Sequence, residues 1–354
     1  MHRMIPHNKP TLGSEEEAAA AAVIVSGWIA EGKRVEEFED ALCRYQGVPA
    51  GRAAAVSSGT AALYLALRSL HVQQKGVIVP TYVCSAVLNA IHMAGARPVL
   101  ADIDPDDLNI SLVEAKKKID ADTGAIIVTH TFGMPAHIDG LIDLGIPVIE
   151  DCAQALGACI NGEPVGRRGS IATFSSYASK MITTGYGGMV VSSDKKLVDS
   201  IRDYRAFDGR ETYEPRFNFH LSDINAAIGS VQLGKLDGFL HRRREIAERY
   251  ASRLPVLDLW PHADDSRNPN FYRIILRTPS AQELKAHLAE KGVSTIVPIE
   301  RFELLHRYLG QDPSAFPVAE AATDTTLSLP AYPSLTDAEV DSIAAVVSEF
   351  LSTV

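Results

Sequence analysis

Through residues 53–150 the apolar positions fall in short runs of strand length, separated by stretches with helical spacing. Runs at 77–80, 98–101, 125–129 and 147–150 read as strands, and 61–70, 85–94, 112–119 and 138–144 as the helices between them. This alternation predicts an α/β fold, a mostly parallel sheet covered by helices on both faces, with ligands expected at the carboxyl ends of the strands. Ahead of it, Ser14 with Glu15, Glu16 and Glu17 reads as a capping box opening the Ala-rich helix 18–27. A second helix is predicted over 35–45, with Phe38, Leu42 and Tyr45 on one face. Residues 171–175 and 188–193 read as further strands, and 222–250 as one long helix striped by Ile224, Ala227, Ile228, Val231, Leu233 and Leu236. Pro255, Pro261 and Pro269 then interrupt the pattern. A strand at 271–276, a helix at 281–291, a strand at 293–297 and a helix at 336–351 predict a smaller α/β unit. The expected division is a large domain over 1–240 and a small one over 241–354.

Composition narrows the partners. The 354 residues are 46% hydrophobic and 22% charged, as in ordinary globular proteins with room for a sizeable core. A net charge of −10, with Arg242-Arg243-Arg244 as the one short basic cluster, argues against nucleic acid or an anionic membrane surface as partner. Cys43, Cys84, Cys152 and Cys159 show no C-x-x-C spacing, so no metal site and no disulfide framework is expected. The N-terminal M-H-R-M-I-P-H-N-K-P lacks the apolar core of a signal peptide, and no apolar run is long enough for a membrane span. A cytoplasmic protein with reduced thiols is expected.

The stretch T-F-S-S-Y-A-S-K-M-I-T-T-G-Y-G-G-M-V, residues 173–190, carries the candidate chemistry. A strand leads into hydroxyl residues, then Lys180, then a Gly-rich turn that returns to an apolar strand. Lys180 is the only lysine between Lys118 and Lys195 and belongs to no charge run. A lysine held in a semi-buried turn can lose its proton and become a nucleophilic amine. Taken alone, S-x-x-x-K is more often a surface lysine, and four other stretches change that reading. Ser57-Ser58-Gly59-Thr60 opens a helix, where free N–H groups and the dipole suit a phosphate. Tyr82, in P-T-Y-V-C just past a strand end, is expected to stack on a flat ring. The strand in I-P-V-I-E-D-C-A-Q-A-L-G ends at Asp151, a carboxylate that needs a cationic partner such as a protonated pyridine nitrogen. Gln154 follows one turn on, within reach of a ring oxygen. Ser175 adds a second phosphate ligand at the strand exit, and Asn218 precedes a helix in F-N-F-H-L-S-D-I-N-A-A-I-G. Phosphate cradle, stacking ring, ring-nitrogen carboxylate and amine make up the inventory of pyridoxal 5'-phosphate (PLP). A dinucleotide fingerprint after the first strand and a P-loop lysine are both missing.

These motifs, in this order and nearly end to end, resemble the DegT/DnrJ/StrS family of PLP-dependent sugar aminotransferases. The likeness runs from I-P-H-N-K-P-T-L-G through S-S-G-T-A-A-L, H-T-F-G and the lysine stretch to T-L-S-L-P-A-Y-P. The resemblance implies the aspartate-aminotransferase type of fold (fold type I) and a homodimer with active sites shared at the subunit interface. It implies Lys180 as the Schiff-base lysine, Asp151 as partner of the pyridine nitrogen, Gln154 near the ring hydroxyl and Tyr82 on the ring face. Gly59, Thr60 and Ser175 would hold the phosphate, and Asn218 would reach the phosphate of the neighbouring subunit. The implied reaction moves an amino group from glutamate or glutamine to a ketone or aldehyde of a sugar, typically nucleotide-linked.

Two positions depart from the family pattern. Gly185-Tyr186-Gly187-Gly188 stands where a carboxylate usually follows the first glycine, and Asn218-Phe219-His220 where N-Y-R is usual. Histidine does not reproduce the arginine fork, which puts substrate identity and donor recognition in question. A free cyclic polyol or amino-sugar ketone stays open as an alternative acceptor. Two further readings are a PLP-dependent sugar dehydratase, against which the presence of Lys180 counts, and a non-catalytic sensor of PLP or sugar. The acidic chain shows no DNA-binding module for such a regulator.

Overall fold

Seven strands pair edge to edge in the order Ala53–Val56, Gly188–Val191, Ile171–Ser175, Val148–Asp151, Thr123–Thr129, Gly76–Pro80 and Arg97–Ala101. The computed structural model describes residues 4–255 and 257–352, so Met1, His2 and Arg3 of the N-terminal stretch lie outside the described residues. Five of the strands form a parallel run from Ile171–Ser175 to Arg97–Ala101, and Gly188–Val191 is antiparallel to both of its neighbours. The register aligns Thr129, Asp151 and Thr173 across three adjacent strands. Gly188, the first residue of the antiparallel strand, pairs with both Val56 and Ser175. The carboxyl ends of the parallel strands therefore share one edge with the Gly188 turn.

Strand periodicity sorts the side chains onto two faces. Val77, Val79, Ile127 and Ile149 pack with Leu63, Leu67, Val87 and Ile91 from the helices Gly59–Ser69 and Ser85–Met93. Ile78, Ile126, Val128 and Val148 pack on the other side with Phe38, Leu42, Leu141 and Leu233. The sheet is thus buried on both faces, which is why its strands read as near-continuous apolar runs. A third core joins Ile246, Tyr250, Leu276, Leu284, Leu327, Ile343 and Val347 around a three-stranded antiparallel sheet of Asp258–Trp260, Ile274–Arg277 and Thr326–Leu329. No helix of the described residues is long and apolar enough to cross a membrane.

Four expectations need correction. The stretch 222–250 is two helices, Asp223–Gly234 and Leu236–Arg253, broken at Lys235. The break follows Gly234, a weak helix former, and turns Lys235 toward Glu15 and Glu16. The first helix is capped one residue early, since Glu16 accepts from the Gly13 N–H at 2.8 Å and Ser14 is already helical. The run 293–297 forms only isolated bridges, Ile5 with Val293 and Ile296 with Ser328. The strand expected from 271 begins at Ile274, because Asn270 and Tyr272 are drawn into loop contacts described below. Pattern reading also passed over the helices Lys195–Arg205 and Pro317–Thr325 and the strand Thr326–Leu329.

Glu16 ties three segments together. Its buried carboxylate accepts from Gly13 N at 2.8 Å, Gln232 Nε2 at 2.8 Å and Lys235 Nζ at 2.8 Å. Glu16→Ala strands the Gly13 N–H and leaves Gln232 and Lys235 with only Thr11 O and Glu15, and is expected to cost about 1–3 kcal/mol of unfolding free energy, with Glu16→Gln costing less. Urea unfolding at neutral pH checks this. A midpoint equal to that of the parent protein contradicts it.

Candidate active site

The loop that carries Lys180 is closed at its neck. Ser176 N donates to Gly187 O at 2.9 Å and Thr184 N to Ser176 O at 2.9 Å, while the Ser176 and Thr184 hydroxyls meet at 2.7 Å. A Cβ on Gly187 would lie 2.3 Å from Ser176 Oγ, so only glycine fits there. Two other segments pin the loop: Asn8 Nδ2 donates to Ser179 O, and from the helix Asp223–Gly234 Gln232 Oε1 accepts from Thr183 N while Asn225 Nδ2 donates to Thr184 O. Lys180 is half-buried, and its Nζ lies 5.2 Å from the centre of the Tyr272 ring. A cation over an aromatic face is held electrostatically without being neutralised.

Asp151 ends the neighbouring strand and is 8% exposed. Burial pushes its carboxyl above the usual range, opposed by the Ala153 N–H at 3.0 Å and the charge of Lys180. Glu150, next to it, points to the opposite face and is occupied there. It accepts from Gly166 N, Arg168 N, Gly169 N and His130 Nε2. His130 Nδ1 accepts from Ala136 N at 3.0 Å, which places the ring proton on Nε2. His130, Glu150 and Cys152 come within 4.8 Å of one another, yet the histidine and carboxylate atoms are already committed to protein partners.

The segment 57–60 meets the end of the Ile171–Ser175 strand. Ser58 caps the helix Gly59–Ser69 by accepting from Ala61 N at 3.1 Å. A Cβ on Gly59 would lie 2.9 Å from Ser175 Cβ, so glycine alone lets the helix start approach that serine. Phe219 O accepts from Ser57 N at 2.8 Å, which brings the stretch around Asn218 alongside. Asn218 itself is exposed.

Tyr82 lies elsewhere. Its ring is 1% exposed, edge-on to Phe132 at 6.0 Å, with its hydroxyl 3.2 Å from Thr326 Oγ1. It has no open face for a flat ligand. Just before it, Thr81 Oγ1 is fixed by the His306 N–H at 3.1 Å and by His306 Nδ1 at 2.8 Å. The side chain that reaches open space from this strand end is Cys84, which is exposed. Surrounding protein pushes its thiol up, Lys180 opposes this and Asp151 adds to it, so Cys84 shares the field of both groups. Gln154 is half-buried, and its amide oxygen is committed to Phe132 N at 2.8 Å, leaving only its NH2 end to donate to a ligand.

Sequence reading missed the cationic floor of the site. Asn270 Nδ2 donates to Gln154 O and Leu156 O, and its Oδ1 accepts from Tyr272 N, knitting 270–273 to the Asp151 segment. A Cβ on Gly133, where φ is +92°, would lie 1.8 Å from Asn270 Oδ1, so this joint requires glycine. Tyr272 is buried beside three cations. Burial alone would raise its phenol, but Lys180, Arg273, the Ser179 contact and Arg243 together bring it down to about 8. Arg243 is 2% exposed and donates Nη1 to Phe271 O, Tyr272 O and Ala331 O. One clue was legible: Arg273 interrupts the apolar run F-Y-R-I-I-L. The two departures sit apart from Lys180's ammonium. Tyr186 is 68% exposed and packs on Tyr177, and His220 bonds the Glu31 carboxylate that also holds Arg205.

Residues 10–348 match the DegT/DnrJ/EryC1/StrS aminotransferase family. The chain is 32% identical over 374 residues to GDP-perosamine synthase of Vibrio cholerae, covering 99% of this chain and 100% of that protein. The chain belongs to this family. Among solved structures it superimposes on the aminotransferase TlmJ from Streptoalloteichus hindustanus with a TM-score of 0.93 and 32% identity, covering 99% of each chain. Spr1654 from Streptococcus pneumoniae, solved in a PMP form, gives 0.92 with 25% identity over 99% of each chain. A PLP form of Spr1654 is also known. The DegT/DnrJ/EryC1/StrS chain described here is accordingly an aminotransferase with the fold expected of it.

The shift of Tyr272 is measurable by itself. In cofactor-free protein one phenol is expected to ionise near pH 8, well below the ordinary tyrosine value, and Tyr272→Phe removes that step from the ultraviolet titration. Lys180→Ala takes away the largest of the cationic influences that lower it, so the step moves up in pH. A titration with no tyrosine ionising below its ordinary range contradicts this electrostatic picture.

Proposed function

We propose that this aminotransferase binds PLP at the shared strand edge and moves an amino group from glutamate or glutamine to a keto or aldehyde group of a nucleotide-linked sugar. One observation carries the reading: Lys180, the buried Asp151 and the Gly59–Ser175 contact converge on one edge of the sheet. The residues fit the cofactor. The close approach that glycine allows at residue 59 brings a helix N-terminus beside Ser175, a setting that favours a phosphate. Asp151, pushed toward neutrality by burial, regains its charge opposite a protonated ring nitrogen. When bound, the cofactor supplies an electron sink for the charge left on a substrate carbon.

The chain's own groups do the rest. Gly59, Thr60 and Ser175 hold the phosphate end, Asp151 keeps the ring nitrogen charged, and the Gln154 NH2 donates to the ring oxygen. Lys180 Nζ anchors the cofactor and, when free of it, moves a proton on the substrate carbon. Its station over Tyr272 keeps the ammonium in place while it is unattached. The nucleotide-linked acceptor is supported by the 32% identity to a GDP-perosamine synthase along the whole chain. A shared dimeric site is supported by exposed Asn218 and by exposed Trp28, Phe207, Tyr213 and Phe217, an apolar set that a second copy would cover. A cytoplasmic location fits this soluble small-molecule chemistry.

The deciding assay supplies L-glutamate with a nucleotide-linked keto-sugar or with a free cyclic keto-polyol and detects the aminated product by mass. Amination of the nucleotide-linked compound is expected, and amination of the free ketone alone replaces this reading with the alternative acceptor class. Asp151→Asn is expected to retain cofactor but slow both half-reactions by more than about tenfold, since one pKa unit is worth about 1.4 kcal/mol. Near-parental turnover removes the role assigned to Asp151. Asn218→Asp and Lys180→Ala homodimers are each expected to be inactive, whereas refolded mixtures regain one working site per heterodimer. Background activity in confirmed heterodimers means that Asn218 does not serve the partner's site.

A further inference from the structure

Among the described residues, one guanidinium that shares an aromatic ring with Lys180 is paired with no carboxylate. Arg273 Cζ is 5.2 Å from the centre of the Tyr272 ring, the ring that Lys180 Nζ also approaches at 5.2 Å. The two cations are therefore no more than about 10 Å apart, held around one aromatic platform. Arg273 is half-buried, its Nε is buried with no hydrogen-bond partner, and its Nη1 meets His7 Nε2 at 3.3 Å. Burial, then Arg273 and Arg243, lower His7 to about 3, so at neutral pH the imidazole is uncharged and cannot offset the guanidinium. His7 is held in turn by Ser328 Oγ at 2.9 Å. Arg243, the other nearby arginine, is sealed among three carbonyls. Lys180, Arg243 and Arg273 thus form a cationic cluster around Tyr272, in which Arg273 combines partial exposure with unused donor capacity.

Such a cluster is balanced by an anion that arrives with substrate. Resting on the aminotransferase reading above, we propose that Arg273 receives a carboxylate of the amino-acid donor, and so supplies the guanidinium that His220 does not. The donor's amine has to reach the position that Lys180 Nζ serves. An amino acid carries its carboxylate on the very carbon that bears the amine, and glutamate carries a second one farther along. In a nucleotide-linked sugar the phosphates are carried on the anomeric carbon and not on the carbon that reacts. The planar fork suits a carboxylate bidentately, whereas a lysine at 273 would offer only a point charge.

Two measurements on the holoenzyme test this. Calorimetry with glutarate, an unreactive dicarboxylate, reads binding without turnover. Single-turnover mixing with L-glutamate reads the loss of the cofactor's yellow absorbance, with no sugar present. In Arg273→Gln, glutarate affinity and the glutamate rate at low concentration are expected to fall about ten- to hundredfold, with Arg273→Lys in between. Cofactor absorbance and GDP affinity are expected to stay as in the parent protein. Equal glutarate binding and equal glutamate rates in parent and Arg273→Gln overturn the assignment. Loss of GDP affinity in place of glutarate affinity does so too, and assigns Arg273 to the nucleotide. If Arg273→Gln loses its cofactor band, Arg273→Lys decides by the same two readings. A parent protein that shows no cofactor band at all refutes the proposed function itself, a result distinct from either outcome.

Discussion

Asp151 and Lys180 set the terms for the rest of the structure. Asp151 ends a central parallel strand and Lys180 sits within the closed loop that follows the neighbouring strand, so both come to one edge of the sheet. Burial pushes the carboxyl above its usual range, and the Ala153 N–H and then the charge of Lys180 oppose that push. The loop therefore has to be rigid. Gly187 permits its neck to close, and Asn8 from the N-terminal stretch and Gln232 and Asn225 from one helix hold it. Gln232 and Lys235 also grip Glu16, so the first helix of the chain is coupled to the placement of the lysine. The placement of one lysine beside a buried carboxylate thus accounts for polar contacts that are scattered through the sequence.

Much of this was legible from residue patterns. The β/α alternation gave the parallel sheet, and S-S-G-T, E-D and the lone lysine marked the segments that meet at its edge. Local patterns succeed when the chemistry sits at the ends of regular elements, where caps and strand exits leave their mark in sequence. Tyr82 shows the limit. Beyond a strand end the two-residue alternation lapses, and the tyrosine turned into the core while Cys84 faced outward. Tyr272 and Arg243 come from segments remote in sequence, and nothing around either residue announces that Lys180 lies nearby. The break at Lys235 was hidden because the apolar stripe continues across it, although Gly234 stood at the spot.

The two departures from the family pattern take on physical meaning in this setting. Tyr186 lies outside the loop neck against Tyr177, so the missing carboxylate is replaced by an exposed aromatic pair. His220 is bound into a network of Glu31, Arg205, Glu39 and Arg202, where Arg205 is itself buried. A histidine joined to that network is not free to act as a carboxylate-binding fork. The cationic capacity near Lys180 comes instead from the C-terminal part of the chain, through Arg243 and Arg273.

The central claim is that Lys180 is the amine that holds the cofactor, and it can be read covalently. The yellow holoenzyme is reduced with borohydride, digested, and its peptides sequenced by mass spectrometry. The account predicts a single phosphopyridoxyl group, on Lys180 within the peptide spanning 173–190. The same group on any other lysine, or none after complete reduction, contradicts it.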